Sequence, residues 1–128
     1  MSADITTFNA PEVGIPAGHY SHAVRVGGMI YISGQLPIDA QGIVLNEAPF
    51  ATQVQQIFNN LSHILHAANC TTQNLVQVRV YLSDINLWPQ FNQLYADWMG
   101  AHKPARCIVP TAELHFGCAI EIEAVAAI

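Results

Sequence analysis

Along this chain the spacing of apolar positions changes several times, and each change marks an element. In His22-Ala-Val-Arg-Val-Gly-Gly-Met-Ile-Tyr-Ile-Ser33, two runs rich in β-branched residues flank Gly27-Gly28. Glycine tolerates the positive φ of a two-residue turn, so the segment predicts a β-hairpin. Residues 37–42, Pro-Ile-Asp-Ala-Gln-Gly, predict a second turn, followed by a short strand at 43–45. From about 49 to 68 the period lengthens, with Val54, Ile57, Phe58, Leu61, Ile64, Leu65 and Ala68 recurring at helical steps. That is the apolar stripe of an amphipathic helix, and Asn69 is placed to supply a left-handed C-terminal cap.

Alternation returns at 75–83. Val76, Val78, Val80 and Leu82 fall on one side and Gln77, Arg79 and Tyr81 on the other, the pattern of a half-buried strand. A second helix is expected next, with Asn86 as its N-cap, Pro89 in the first turn and Gly100 at the end. Trp88, Phe91, Leu94, Tyr95 and Trp98 make its apolar face. Two more strands are expected at 105–112 and 119–127, joined by a loop through His115 and Gly117. The order ββ(β)αβαββ predicts one α+β domain over residues 1–128, two helices covering one face of a mixed sheet. The other face is left without a cover.

Composition sharpens that gap. The chain is 52% hydrophobic and only 10% charged, where a soluble domain averages about a quarter charged. So little charge leaves apolar surface on a monomer and predicts a closed homo-oligomer that buries it. Nine Asp and Glu stand against four Lys and Arg, and the four (Arg25, Arg79, Lys103 and Arg106) are scattered. Binding a phosphate backbone needs a basic stripe that releases counterions, so nucleic acid is not an expected partner. Neither is a membrane: no apolar run approaches the ~20 residues of a span, and the first seven residues lack both a basic start and an apolar stretch. Three cysteines, Cys70, Cys107 and Cys118, without CxxC spacing, fit a reducing, cytoplasmic setting.

Scarce charge makes each arginine worth weighing. Arg106 follows Lys103-Pro-Ala at the mouth of a predicted strand. Its planar fork suits a carboxylate held by two parallel hydrogen bonds; the plainer reading is a surface arginine at a strand end. Glu121 and Glu123 share the strand face opposite Ile120 and Ile122. Half-buried, a carboxylate there acts as a general base for water; fully solvated, it is only an outer face, and spacing does not separate the two. Ser33-Gly34 reads either as a strand-end turn or as backbone open to an anionic ligand. The pairs His63/His66 and His19/His22 have no Cys or carboxylate at ligand spacing, so no metal is expected. Cys107 alternates with Arg106 and Ile108, which predicts a small buried residue pointing away from the face Arg106 uses.

Together, Gly18-His-Tyr-Ser-His-Ala-Val24, Ile32-Ser-Gly-Gln-Leu-Pro37, Asn59-Asn-Leu, Val80-Tyr-Leu-Ser-Asp84, Phe91-Asn-Gln-Leu-Tyr95, Pro104-Ala-Arg106 and Ile120-Glu-Ile-Glu-Ala124 resemble the RidA/YjgF (reactive intermediate deaminase) family. The likeness covers nearly the whole chain, and the motifs are specific in this order. It implies a chorismate-mutase-like α+β subunit with a mixed six-stranded sheet, a homotrimer, and ligand clefts between neighbouring subunits. In members that deaminate, an arginine in the place of Arg106 binds the substrate carboxylate and a glutamate in the place of Glu121 handles water. A tyrosine matching Tyr20 lines the cleft, and residues matching Ser33, Gly34 and Asn92 add surface and hydrogen bonds. Ile108 stands where many such members carry a cysteine; alternation puts it on Arg106's face, so the cleft exchanges a thiol for an apolar wall. His19 stands where proline is frequent, and Glu113-Leu-His115 replaces the more usual Arg-Leu-Pro. These departures predict an altered substrate preference.

The activity implied is hydrolysis of small carboxylate-bearing imines or enamines, 2-aminoacrylate-like or derived from a larger unsaturated amino acid, without a cofactor. A non-catalytic protein that binds small carboxylates in the same cleft is the alternative. Ribonuclease activity, attributed to some relatives, is opposed by the net charge of −5.

Overall fold

The hairpin closes where the glycines predict, with Gly27 at φ 56°. In the computed structural model, which describes residues 4–128, it joins β2 (Ala23–Val26) to β3 (Met29–Gln35). The N-terminal stretch in which no leader is expected begins at residues 1–3, outside the described residues. Ahead of the hairpin lies β1 (Ile5–Phe8), and after it come α1 (Phe50–Ala67), β4 (Leu75–Leu82), α2 (Trp88–Met99), β5 (Ala105–Pro110) and β6 (Ile120–Ala127). The sheet order is β1-β2-β3-β6-β4-β5. Only β4 and β5 run parallel, across the α2 crossover; the other neighbours are antiparallel. The fold is therefore α+β with a mixed six-stranded sheet.

The sixth strand is not the one expected at 43–45. There Asp39 Oδ1 accepts from the amides of both Gln41 and Ile43 at 2.9 Å, curling the chain into a turn. Only one bridge, Ile38 to Val44, survives. Instead Ile5-Thr-Thr-Phe8, β-branched and aromatic, pairs along β2. On β4 the alternation breaks at Val76, which is 44% exposed, while Leu75 is buried. The register against β6 slips between Leu75 and Gln77, so one extra residue bulges outward and the following residues recover the expected faces.

α1 runs as predicted and buries Val54, Ile57, Phe58, Leu61, Ile64 and Leu65. Asn69 takes the left-handed conformation at φ 57°, and the amide of Cys70 reaches back to Leu65 O at 2.8 Å. α2 does not use Asn86 as its cap. A short 3-10 turn, Ile85–Leu87, precedes the helix, and Asp84 caps that turn by accepting from the Asn86 amide at 2.9 Å. The two helices lock through aromatic rings: Phe58 stacks on Trp98 at 4.2 Å, and Phe91 lies 6.2 Å from Phe58 and 5.6 Å from Tyr95. Such pairs add about 0.5–1.5 kcal/mol each beyond their area.

Beneath the helices Ile30, Ile32, Val78, Val80, Leu82, Ile120, Ile122 and Ala124 form the buried face of the sheet. The opposite face is open. Among its residues Tyr31 is 49% exposed, Arg79 and Cys107 are exposed, and Tyr81, Glu121 and Glu123 are half-buried. No helix among the described residues is long and apolar enough to cross a membrane.

Candidate active site

Strand register fixes which way each candidate points. Val78 pairs with Arg106 and Val80 with Ile108 along the parallel β4–β5 ladder, so Arg106 and Ile108 share the helix-covered side with those buried valines. Tyr81 pairs with Glu121 and Arg79 with Glu123, on the open side. The candidates therefore form two groups on opposite faces of one chain.

The open-side group surrounds Glu121. β3 slips against β6 between Ile32 and Gln35, so that Ser33 and Gly34 bulge away from the ladder. Ser33-Gly34-Gln35 does close β3, but through a bulge that keeps the strand going to Gln35 rather than a simple turn. Ser33 is tied down twice: its amide donates to His22 O at 2.9 Å and its hydroxyl to Ser21 O at 2.7 Å. A cavity of about 330 Å³ opens over this bulge, lined by Tyr20, Ser33, Gly34, Leu36, Phe116 and Glu121 among others. Gly34 is glycine for a local reason: a Cβ there would lie 2.5 Å from Glu121 Oε2. Burial raises the pKa of Glu121; His115 opposes the shift and Glu123 adds to it. A carboxylate with raised pKa facing an open cavity is equipped to take a proton from water.

The helix-side group is built on Arg106. Its Nη1 donates to Asn92 Oδ1 at 3.0 Å, and its guanidinium carbon sits 4.7 Å from the centre of the Tyr95 ring. Both partners come from α2, so helix and edge strand hold the fork between them. The one ion pair among the described residues joins Arg79 Nη1 to Glu123 Oε1 at 3.6 Å. Arg106 has no carboxylate partner there, and a second cavity of about 440 Å³ lies beside it, Asn92 and Tyr95. Tyr95 Oη is buried without a hydrogen-bond partner, and burial raises its pKa while Arg106 opposes.

A family profile described as Endoribonuclease L-PSP matches residues 9–128. The chain belongs to the RidA/YjgF family. Human 2-iminobutanoate/2-iminopropanoate deaminase is 39% identical over 122 residues, covering 95% of this chain and 87% of that one. Protein HMF1 of Saccharomyces cerevisiae is 38% identical over 111 residues, 87% of this chain and 85% of its own. Among solved structures, RidA from the Antarctic bacterium Psychrobacter sp. PAMC 21119 superposes with a TM-score of 0.90 at 31% identity, covering 96% of this chain and 99% of that one. The YjgF gene product from E. coli gives 0.86 at 31%, covering 95% and 98%.

Within this RidA/YjgF frame, sequence reasoning missed the polar residues that shape the cavity from behind. Gln53 and Asn60 are buried on α1's apolar stripe. Asn60 Nδ2 donates to Ile38 O at 3.1 Å, holding the segment after β3. Gln53 Oε1 accepts from the Ala119 amide at 3.0 Å while its Nε2 donates to Ala48 O at 3.0 Å, holding the loop before Glu121. Their positions in step with Ile57 and Ile64 were the available signal. Buried His22 accepts the Ala10 amide on Nδ1 at 3.0 Å, and burial lowers its pKa. Cys107 does point away from Arg106's face, but it is exposed rather than buried, because β5 is an edge strand whose open side has no cover. Glu113 is exposed and outside both cavities, and His19 is exposed. Among the described residues no three His, Cys, Asp or Glu side chains gather where they would hold a metal ion.

Proposed function

We propose that this chain hydrolyses small imines or enamines bearing a carboxylate, giving a keto acid and ammonia, and that it does so as a homotrimer with its clefts between subunits. The observation that carries the reading is Arg106: a half-buried guanidinium, braced on Asn92 and Tyr95, with no acidic partner among the described residues. Such a fork grips a substrate carboxylate bidentately. Kinship with the human imine deaminase supports the chemistry. Because Arg106 and Glu121 lie on opposite faces of one subunit, the reading takes the fork from one copy and the glutamate from its neighbour, whose open sheet face then gains its cover.

In this site the carboxylate of the substrate sits on Arg106, and the imine carbon faces the Gly34 bulge. Water adds to that carbon while its proton passes to Glu121. Glu121 returns that proton to nitrogen, giving the neutral carbinolamine; its hydroxyl proton then passes to the nitrogen as the C–N bond breaks, so that ammonia leaves and the carbonyl of the keto acid forms. Positioning and proton transfer suffice, since the imine carbon is already electrophilic. Ile108 shares Arg106's strand face and packs against the core, outside the lining of the cavity beside the fork. We place the activity in the cytoplasm, although one yeast relative is Protein MMF1, mitochondrial.

An amino-acid oxidase that releases imine in the cuvette provides the test, with imine decay followed in parallel. Wild type is expected to speed the decay, and Arg106→Ala to lower kcat/KM by roughly 30-fold or more, the loss of a charged hydrogen-bonded pair. Arg106→Lys keeps the charge without the fork and should fall between. Decay at the buffer rate with wild-type protein sinks the reading. Keto-acid binding without turnover would favour the carboxylate-binding alternative, for which the apolar Ile108 on Arg106's strand face is the supporting observation.

A further inference from the structure

The strained residue at the mouth of the Glu121 cavity is Phe116. Its backbone stands at φ 61°, ψ 14°, inside the short turn His115–Gly117. The left-handed region is rarely occupied by a bulky L-residue, whereas glycine or asparagine enters it readily. Gly117 follows at φ 72°, and the turn closes through the Gly117 amide on Leu114 O at 3.1 Å and the Cys118 amide on His115 O at 3.2 Å. The ring so placed is not used in the core: Phe116 is 54% exposed. Its ring neighbour is His115, at 5.9 Å between centroids. Such strain, held by the surrounding turn, is a pointer to function when the residue also faces a site.

Phe116 faces the cavity that holds Glu121. The lining carries both chemistries: Ser33, Gly34, His115 and Glu121 supply polar groups, and Tyr20, Leu36 and Phe116 large apolar surface. Tyr20 is 45% exposed as well, so two large apolar surfaces wait open at the rim. On one subunit the cavity is about 330 Å³, and its apolar walls are surface that a three-carbon imine, with its carboxylate on Arg106, has no side chain to cover. We propose that Phe116, with Tyr20 and Leu36, is the specificity wall of this site and selects imines and keto acids with branched aliphatic or aromatic side chains over the three-carbon members. The inference rests on the deaminase reading for its substrates, but it makes a separate claim about side-chain preference.

The test compares imines released from leucine and from alanine by an amino-acid oxidase, alongside calorimetric binding of 4-methyl-2-oxopentanoate and pyruvate. Wild type should favour the leucine-derived imine and the branched keto acid. Phe116→Asn keeps a residue suited to the left-handed backbone, so the turn should survive, with an unchanged or higher Tm. Its ratio of kcat/KM for the leucine-derived to the alanine-derived imine should fall at least about tenfold, the discrimination expected of an apolar pocket. Phe116→Leu should restore most of the preference. Equal losses on both compounds, or none, overturn the proposal while leaving the deaminase reading intact. If wild type accelerates neither imine yet binds the branched keto acid more tightly, in a Phe116-dependent way, the wall stands and the deaminase reading falls.

Discussion

Gly34 and Glu121 constrain one another. The carboxylate rests where a side chain at position 34 would begin, so Gly34→Ala puts a methyl group 2.5 Å from Oε2 and 3.3 Å from Cδ. The obstructed group is the end of a flexible side chain, which swings away at small cost. Folding should change by less than about 1 kcal/mol, while turnover drops because the carboxylate has left its place. A thermal melt paired with the imine assay checks both halves; a large fall in Tm would mean that the glycine serves the fold instead. Glu121 also sets a pH dependence. Burial raises its pKa in the folded chain above the ~4.3 of an unfolded glutamate. Protonation is thus favoured by folding, and the stability it contributes is full below the unfolded value and lost as pH rises through the folded one. At neutral pH the ionised group is a net cost, so Glu121→Gln should melt higher than wild type at pH 7, with the gap closing in acid. The same variant should abolish turnover, and in wild type the acid limb of kcat/KM should lie above the ordinary carboxylate range. A lower Tm for Glu121→Gln at pH 7 would contradict the burial argument.

At the scale of elements, Asp84 offers a clean contrast with Asn86. Both are good capping residues, two positions apart, and spacing favoured the one nearer Pro89. The intervening 3-10 turn moves the cap upstream, to Asp84. Asp84→Ala should therefore cost about 1 kcal/mol in a denaturant titration, and Asn86→Ala, which donates only its backbone amide here, close to nothing. The reverse order of costs would return the cap to Asn86. The same kind of ambiguity explains what the sequence concealed elsewhere. The hairpin and α1 were legible because each carries its full hydrophobic period and a terminating residue, Gly27 for one and Asn69 for the other. Ile5-Thr-Thr-Phe8 and residues 43–45 are equally short and β-branched, and only the partner available to each decides which becomes a strand. Val76 reads as an inward position because a bulge leaves no mark in the apolar pattern; it is a property of the pairing with β6. Gln53 and Asn60 sit on the stripe but are polar, and their worth lies in loop carbonyls and an amide that no spacing announces.

For the molecule as a whole, candidate residues could be named from the sequence, but their division between two faces could not. That division depends on the register of β5 and β6 against β4, which sets Arg106 beside buried Val78 on the helix side and Glu121 beside Tyr81 on the open side. It also gives the proposed assembly a consequence that a self-contained site would lack. If every cleft joins Arg106 of one subunit to Glu121 of its neighbour, Arg106→Ala and Glu121→Gln each lose most or all activity alone but complement when co-expressed. A cleft is intact when the fork comes from a Glu121→Gln subunit and the carboxylate from an Arg106→Ala subunit. Random mixing in a closed ring makes that so in about a quarter of the clefts, and the mixed preparation should recover about a quarter of wild-type activity. Were both groups supplied by one chain, every site would carry one defect or the other and recovery would be nil. Tagging the two variants differently and assaying only the doubly captured trimers, in which one cleft of the three is intact and about a third of wild-type activity should return, decides between them, and the same capture reports whether the open sheet face is a subunit interface at all.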